Sequence, residues 1–176
     1  MEDNCLIEKL CKDIPGKNSS VVQVKQKLEK ISNRGRSKWW CYSPLISAVK
    51  AKRKDLIKLM IKDLGFNINS NCENLQERNT FTSALSKAIE KNDEDMIRFL
   101  IVEMKATVNI NYCREKLQSP LICAIKLRKF QIVKLLVEQL GADVNFRVSR
   151  IEDGSRPFLA LHAAIFEIRK WYAFLI

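Results

Sequence analysis

Apolar residues between Ser119 and Asn145, SPLICAIKLRKFQIVKLLVEQLGADVN, fall into two blocks at helical spacing. Leu121, Ala124 and Ile125 share one face of a short first helix. Ser119 is placed to cap it, and Pro120 suits its first turn, where a missing N–H costs nothing. Lys126–Lys129 is a polar break. Ile132, Val133, Leu136, Val137 and Leu140 then form the stripe of a longer second helix. Gly141 predicts a left-handed stop, and Ala142–Asn145 an extended exit. Neither helix can bury its stripe alone, so the pattern calls for copies of itself.

Those copies are present. Ser43–Asn69 and Ser83–Asn109 align with Ser119–Asn145 over 27 residues without a gap, with starts 40 and 36 residues apart. Leu45, Leu85 and Leu121 coincide; so do Ala48, Ala88 and Ala124, and Asn69, Asn109 and Asn145. Such periodicity marks stacked helix–turn–helix units.

In this register the units resemble ankyrin repeats. Ser43-Pro44-Leu45-Ile46 and Ser119-Pro120-Leu121-Ile122 are similar to the T-P-L-H opening of the family's inner helix. Leu56–Ile61 and Ile132–Val137 resemble its outer helix, and Gly65–Asn69 and Gly141–Asn145 its G-A-D-V-N exit. The resemblance covers most of residues 39–150 and implies an all-α ankyrin-repeat solenoid. The chain also departs from the pattern. Ile46, Ser86 and Ile122 stand where the family has His. Leu64, Met104 and Leu140 are each one residue extra before the exit, which suggests longer outer helices. Lys105 stands where the other two repeats have Gly, at a cost of about 1 kcal/mol if the left-handed turn is kept. The surplus over a 33-residue period lies in Ser70–Thr82 and Ile110–Gln118, where the family places finger-like hairpins.

Asp3–Lys12 and Ser19–Ile31 read as two further helices, with Leu6, Leu10, Val21, Val24 and Leu28 apolar. They are expected to form an N-terminal cap over residues 1–38, followed by repeats at 39–78, 79–114 and 115–154. Leu159–Ile165 aligns with Ser119–Ile125 and opens a partial fourth repeat at 155–176. The apolar ending WYAFLI is open to three explanations: a truncated chain, a variant ending there, or an end covered by a partner.

The chain carries 31 Lys+Arg against 20 Asp+Glu, a formal charge of +11. That favours acidic partners, nucleic acid or anionic surfaces without choosing among them. Its six cysteines form no C-x-x-C pair and fit no zinc template, which reads as reduced thiols of an intracellular, cytoplasmic or nuclear protein. The polar N-terminus does not read as a signal peptide, and no apolar run reaches the length of a membrane span. No phosphate-binding or dinucleotide-binding glycine motif occurs. No cofactor, metal or membrane is expected. His162, the only histidine, occupies the family's opening position and reads as a structural hydrogen-bonding residue. Cys123 reads as core filling. Enzymatic activity is not expected.

The resemblance implies a binding surface made of fingers and inner helices. Carried over by register, it places Trp39, Trp40, Tyr42, Lys50 and Ala51 there from the first repeat. The second contributes Asn79, Thr80, Thr82, Glu90 and Lys91; the third contributes Glu115, Lys116, Gln118, Lys126 and Leu127. Trp39, Trp40 and Tyr42 are the expected anchors, since large aromatics dominate interfaces. Lys50, Lys91 and Lys126 favour an acidic partner protein. An array sensing an anionic oligonucleotide, as part of a larger protein, is the alternative. Lys50–Lys54 and Lys126–Lys129 would form a basic stripe at the inter-helix turns, but Glu90 and Asp93–Asp95 interrupt it. Those acids also suit the start of a helix, so the stripe reads as solvated surface rather than a nucleic-acid track.

Overall fold

In the computed structural model, residues 12, 14, 20–30, 43–74, 80–111, 119–148 and 159–172 are described. Helix α1 (Val21–Lys30) is followed by three helix pairs. The first pair is α2 (Pro44–Lys50) and α3 (Lys54–Lys58), the latter continuing as a π-turn over Leu59–Asp63. The second is α4 (Ala84–Glu90) and α5 (Glu94–Arg98), continuing as a π-turn over Phe99–Glu103. The third is α6 (Pro120–Lys126) and α7 (Phe130–Glu138), and α8 (Ala160–Tyr172) closes the series. Inner helices pack in the order α2, α4, α6, α8, and α1 lies against α3. The expected all-α solenoid is what is observed.

Each inner helix begins as its sequence predicts. Ser43 and Ser119 extend from the β region and accept hydrogen bonds from the Ile46 and Ile122 N–H groups at 3.4 and 3.2 Å. Ser83 and Ser86 form a reciprocal capping box: Ser83 Oγ accepts from Ser86 N–H at 3.0 Å, and Ser86 Oγ from Ser83 N–H at 2.8 Å. Pro44 and Pro120 occupy first-turn positions. The inner helices end in one repeated closure. Arg53, Asp93 and Lys129 donate to the carbonyls of Ala48, Ala88 and Ala124, while Lys52, Asn92 and Arg128 donate to those of Val49, Ile89 and Ile125. This is a Schellman motif three times over, with Lys52, Asn92 and Arg128 left-handed at φ 57, 56 and 57°.

The outer helices end differently from the expectation. Leu64, Met104 and Leu140 do not simply lengthen them. Leu64 and Met104 donate across five residues to Leu59 and Phe99, and this wide turn absorbs the extra residue. The next closure is wider still. Phe66, Ala106 and Ala142 donate to Met60, Leu100 and Leu136, six residues back, around Gly65, Lys105 and Gly141 at φ 67, 60 and 72°. Lys105 therefore keeps the left-handed turn despite its side chain.

A continuous core runs from Ile14, Val24 and Leu28 through Leu45, Leu56, Ile57 and Met60. It continues through Leu85, Met96, Ile97 and Leu100 to Leu121, Ile132, Leu136 and Ala160. On α7 the buried stripe is Ile132, Leu135 and Leu136, with Val133, Val137 and Leu140 half-buried at its edges. Ala48, Ala88 and Ala124 are wholly buried, where any larger side chain would push neighbouring inner helices apart.

The surplus between the first two repeats forms a hairpin, as expected. Strands β1 (Asn71–Asn74) and β2 (Thr80–Ser83) pair antiparallel with Asn71 opposite Ser83 and Cys72 opposite Thr82. The finger expected over Ile110–Gln118 lies largely outside the described residues, as do residues 3–11 of the expected first helix.

Candidate functional site

Lys50, Glu90 and Lys126 are the last residues of α2, α4 and α6, and Lys91 is the residue that ends α4. Because α4 packs between α2 and α6, these side chains form a row across the ends of the inner helices. Lys50, Glu90 and Lys91 are exposed and Lys126 is half-buried. Glu90 is held within the row by Lys87, one turn earlier on α4. Thr82 is half-buried on β2, directly before the α4 cap. Trp39, Trp40, Tyr42, Lys116 and Gln118 lie outside the described residues.

Part of the expected basic stripe is consumed in pairing. Lys52 reaches Asp93 in the next repeat at 2.7 Å, and Arg53 makes a two-pronged bond to Asp55 at 2.7 and 2.9 Å. Lys58 meets Glu103 at 2.8 Å, and Arg128 meets Glu167 on α8 at 3.2 Å. Lys54 and Lys58 also stand over the Phe99 ring at 5.3 and 5.4 Å. Asp93 has two roles. It caps α5 by accepting from Met96 N–H at 3.1 Å, and it receives Lys52. Partial burial pushes its carboxyl up, but the Lys52 ammonium and the Met96 N–H outweigh burial and hold it below the usual range. Its hydrogen bond in turn raises Lys52. Asp93 thus interrupts the stripe by pairing with Lys52.

Two of the three coincident asparagines, Asn69 and Asn109, prove to be clamps between repeats. Asn69 Oδ1 accepts from Thr107 N–H, and its Nδ2 donates to Thr107 Oγ1, both at 2.9 Å. Asn109 repeats the grip: its Oδ1 accepts from Asp143 N–H at 2.8 Å and its Nδ2 donates to the Gly141 carbonyl at 3.2 Å. Sequence reasoning used these asparagines for register but missed what they hold. Their threefold recurrence at a non-capping position was the available clue.

His162 Nδ1 accepts from Leu159 N–H at 3.0 Å, so the histidine fastens the start of α8 as expected. Cys123 packs against the core, and burial pushes its thiol up to about 11, which leaves it protonated and a poor nucleophile at neutral pH. Among the described residues, no group of three or more His, Cys, Asp or Glu is placed to hold a metal ion. No helix there is long and apolar enough to cross a membrane.

A family model described as ankyrin repeats, in three copies, matches residues 45–148, more than half of the chain. The chain belongs to the ankyrin-repeat family. Ankyrin repeats are generally protein–protein interaction modules and are typically non-catalytic. No curated protein matches the sequence significantly.

Proposed function

We propose that this ankyrin-repeat chain is a non-catalytic recognition module that binds an acidic partner protein through its inner-helix ends and fingers. The observation carrying this reading is the row of Lys50, Lys91 and Lys126. Lys50 and Lys91 remain exposed while Lys52, Arg53 and Arg128 at the turns are drawn into pairs with Asp93, Asp55 and Glu167. Trp39, Trp40 and Tyr42, just ahead of α2, are assigned as its aromatic anchors. Thr82, Glu90, Lys116 and Gln118 complete the surface from the second and third repeats. Residues 1–38 serve as the cap, 39–78, 79–114 and 115–154 as the repeats, and 155–176 as a partial repeat. The reduced-thiol reading of the cysteines supports a cytoplasmic or nuclear scaffold or adaptor.

The test is capture of interacting proteins from a matched lysate, with a Trp39→Ala, Trp40→Ala double variant as control. Trp40→Ala alone should weaken the captured interaction by about 2 kcal/mol if it is a hot spot. Unchanged affinity with an intact fold removes Trp40 from the site. An oligonucleotide ligand would show itself by affinity that falls steeply with ionic strength, whereas an aromatic-anchored interface responds weakly.

A further inference from the structure

The row across the inner-helix ends continues onto α8, where it changes character. Phe166 aligns with Lys50, Glu90 and Lys126, the last residues of α2, α4 and α6. Helix α8 packs on α6, and Ala163, one turn before Phe166, is buried against Ile122. Just after Phe166, Glu167 is mostly buried and accepts from Arg128 Nε and Nη2 at 3.3 and 3.2 Å. These contacts on either side hold Phe166 in line with Lys126.

Phe166 is nonetheless 57% exposed. Its register is one that complete repeats leave open. Lys50 and Glu90 are exposed although α2 and α4 each pack against an outer helix and against the next inner helix. A lysine or glutamate at such a place is solvated. A phenylalanine there leaves apolar area in water that a partner can remove, and aromatics of this kind anchor interfaces.

We infer that Phe166 is a further partner-binding residue, an apolar anchor in line with the lysine row. The inference rests on the reading of that row as the surface for an acidic partner, and it names the partner's pattern. Packed helices lie about 8–10 Å apart, so the row advances by about that much per repeat. A polyproline II segment places every third residue on one side, in steps of about 9 Å. A β-strand sends its third residue to the opposite face, and an α-helix that spans the step in seven residues covers about 10.5 Å and overshoots the row. The partner segment is therefore of polyproline II type. It carries acids opposite Lys50 and Lys126, an uncharged residue opposite Glu90 and an apolar side chain over Phe166, each three residues from the last. Glu90, held by Lys87, repels a third acid at the centre.

The probes are a fluorescein-labelled peptide, Glu-Pro-Pro-Asn-Pro-Pro-Glu-Pro-Pro-Trp, and its reverse, since register does not fix the direction of the partner chain. Titrated with the full chain at low ionic strength and followed by anisotropy, one of them should bind saturably. Phe166→Ser should weaken that binding at least about fivefold. Phe166→Tyr, which keeps the ring, should bind as before, and replacing the peptide's Trp with Ser should cost nothing further on the Phe166→Ser variant. Circular dichroism verifies that the variants keep their helix content. Binding lost on Lys126→Glu but indifferent to Phe166→Ser overturns the anchor and leaves the acidic-partner reading standing. Binding indifferent to both Lys50→Glu and Lys126→Glu overturns the two together. Absence of saturable binding by either peptide overturns the assigned pattern.

Discussion

Lys105 offers a direct measure of what a left-handed turn costs in this array. It sits at φ 60° in the position where the neighbouring repeats have Gly65 and Gly141 at 67 and 72°. A Cβ in that region costs about 1–2 kcal/mol. Glycine forfeits part of the gain, about 0.4–1 kcal/mol, through the larger freedom of its unfolded chain. The Lys105 side chain is exposed and bridges nothing in the ion pairs seen. Lys105→Gly should therefore stabilise by about 0.5–1 kcal/mol, a rise of about 2–4 °C in melting temperature per kcal/mol for a chain of this size. Gly141→Ala is the mirror experiment. A Cβ there meets nothing within 4 Å, so no steric clash clouds the result and the whole loss is backbone strain. It should destabilise by a similar amount. Urea denaturation followed by far-UV circular dichroism reads both, with Lys105→Ala as the control for removing the lysine side chain alone. Stability unchanged in both Lys105→Gly and Gly141→Ala would refute the left-handed closure. A gain matched by Lys105→Ala would assign the effect to charge rather than to φ.

Leu136→Ala should cost about 2–5 kcal/mol in the same assay, because Leu136 is fully buried between repeats. Asn109→Ala, which removes two cross-repeat hydrogen bonds, should cost about 1–2 kcal/mol, whereas Asn145→Ala should stay within about 0.5 kcal/mol. Equal losses at the two asparagines would show that the clamp contributes nothing. Asp93 and Asp55 titrate below the usual range, so near pH 4 the unfolded chain binds more protons than the folded one. Their contribution is complete above the ordinary aspartate value of about 3.9 and is lost as pH falls through the folded values. Asp93→Asn keeps the cap but should flatten the acid limb of stability between about pH 4 and 2, and an unchanged limb would count against the Lys52 pairing.

Much of the fold could be read because its determinants are local. Ser43, Ser83 and Ser119 cap helices begun within three residues, Pro44 and Pro120 occupy first-turn positions, and Gly65 and Gly141 stop helices where they stand. What escaped the sequence depends on distance. Asn69 and Thr107 meet across 38 residues, and Lys52 and Asp93 across 41, so neither pairing leaves a mark in a helical window. The left-handed turns at Lys52, Asn92 and Arg128 escaped for a different reason: no glycine announces them. The Schellman bonds within each repeat hold these residues at φ > 0 against the cost of about 1–2 kcal/mol that a Cβ incurs there. For the candidate site, register gave the row of Lys50, Glu90 and Lys126, but not that Lys87 would hold Glu90 or that Asp93 would absorb Lys52.

The extra residue in every outer helix has a physical reason in the clamps. An α-helix turns by about 100° per residue, so deleting Leu64 would re-aim everything after it unless the turn re-formed. The wide closure of Phe66 on Met60 instead carries the added residue and delivers Asn69 to Thr107. Ala106 on Leu100 does the same for Asn109 and Asp143. Each clamp then fixes the position of the next closure: Thr107 and Asp143 lie one residue past Ala106 and Ala142, the donors of those wide bonds. A one-residue change in a single repeat would therefore misplace both its own asparagine and the backbone offered to the repeat before it. The added residue is thus tied from repeat to repeat by the clamps, in keeping with the one length of 27 residues that the three units share.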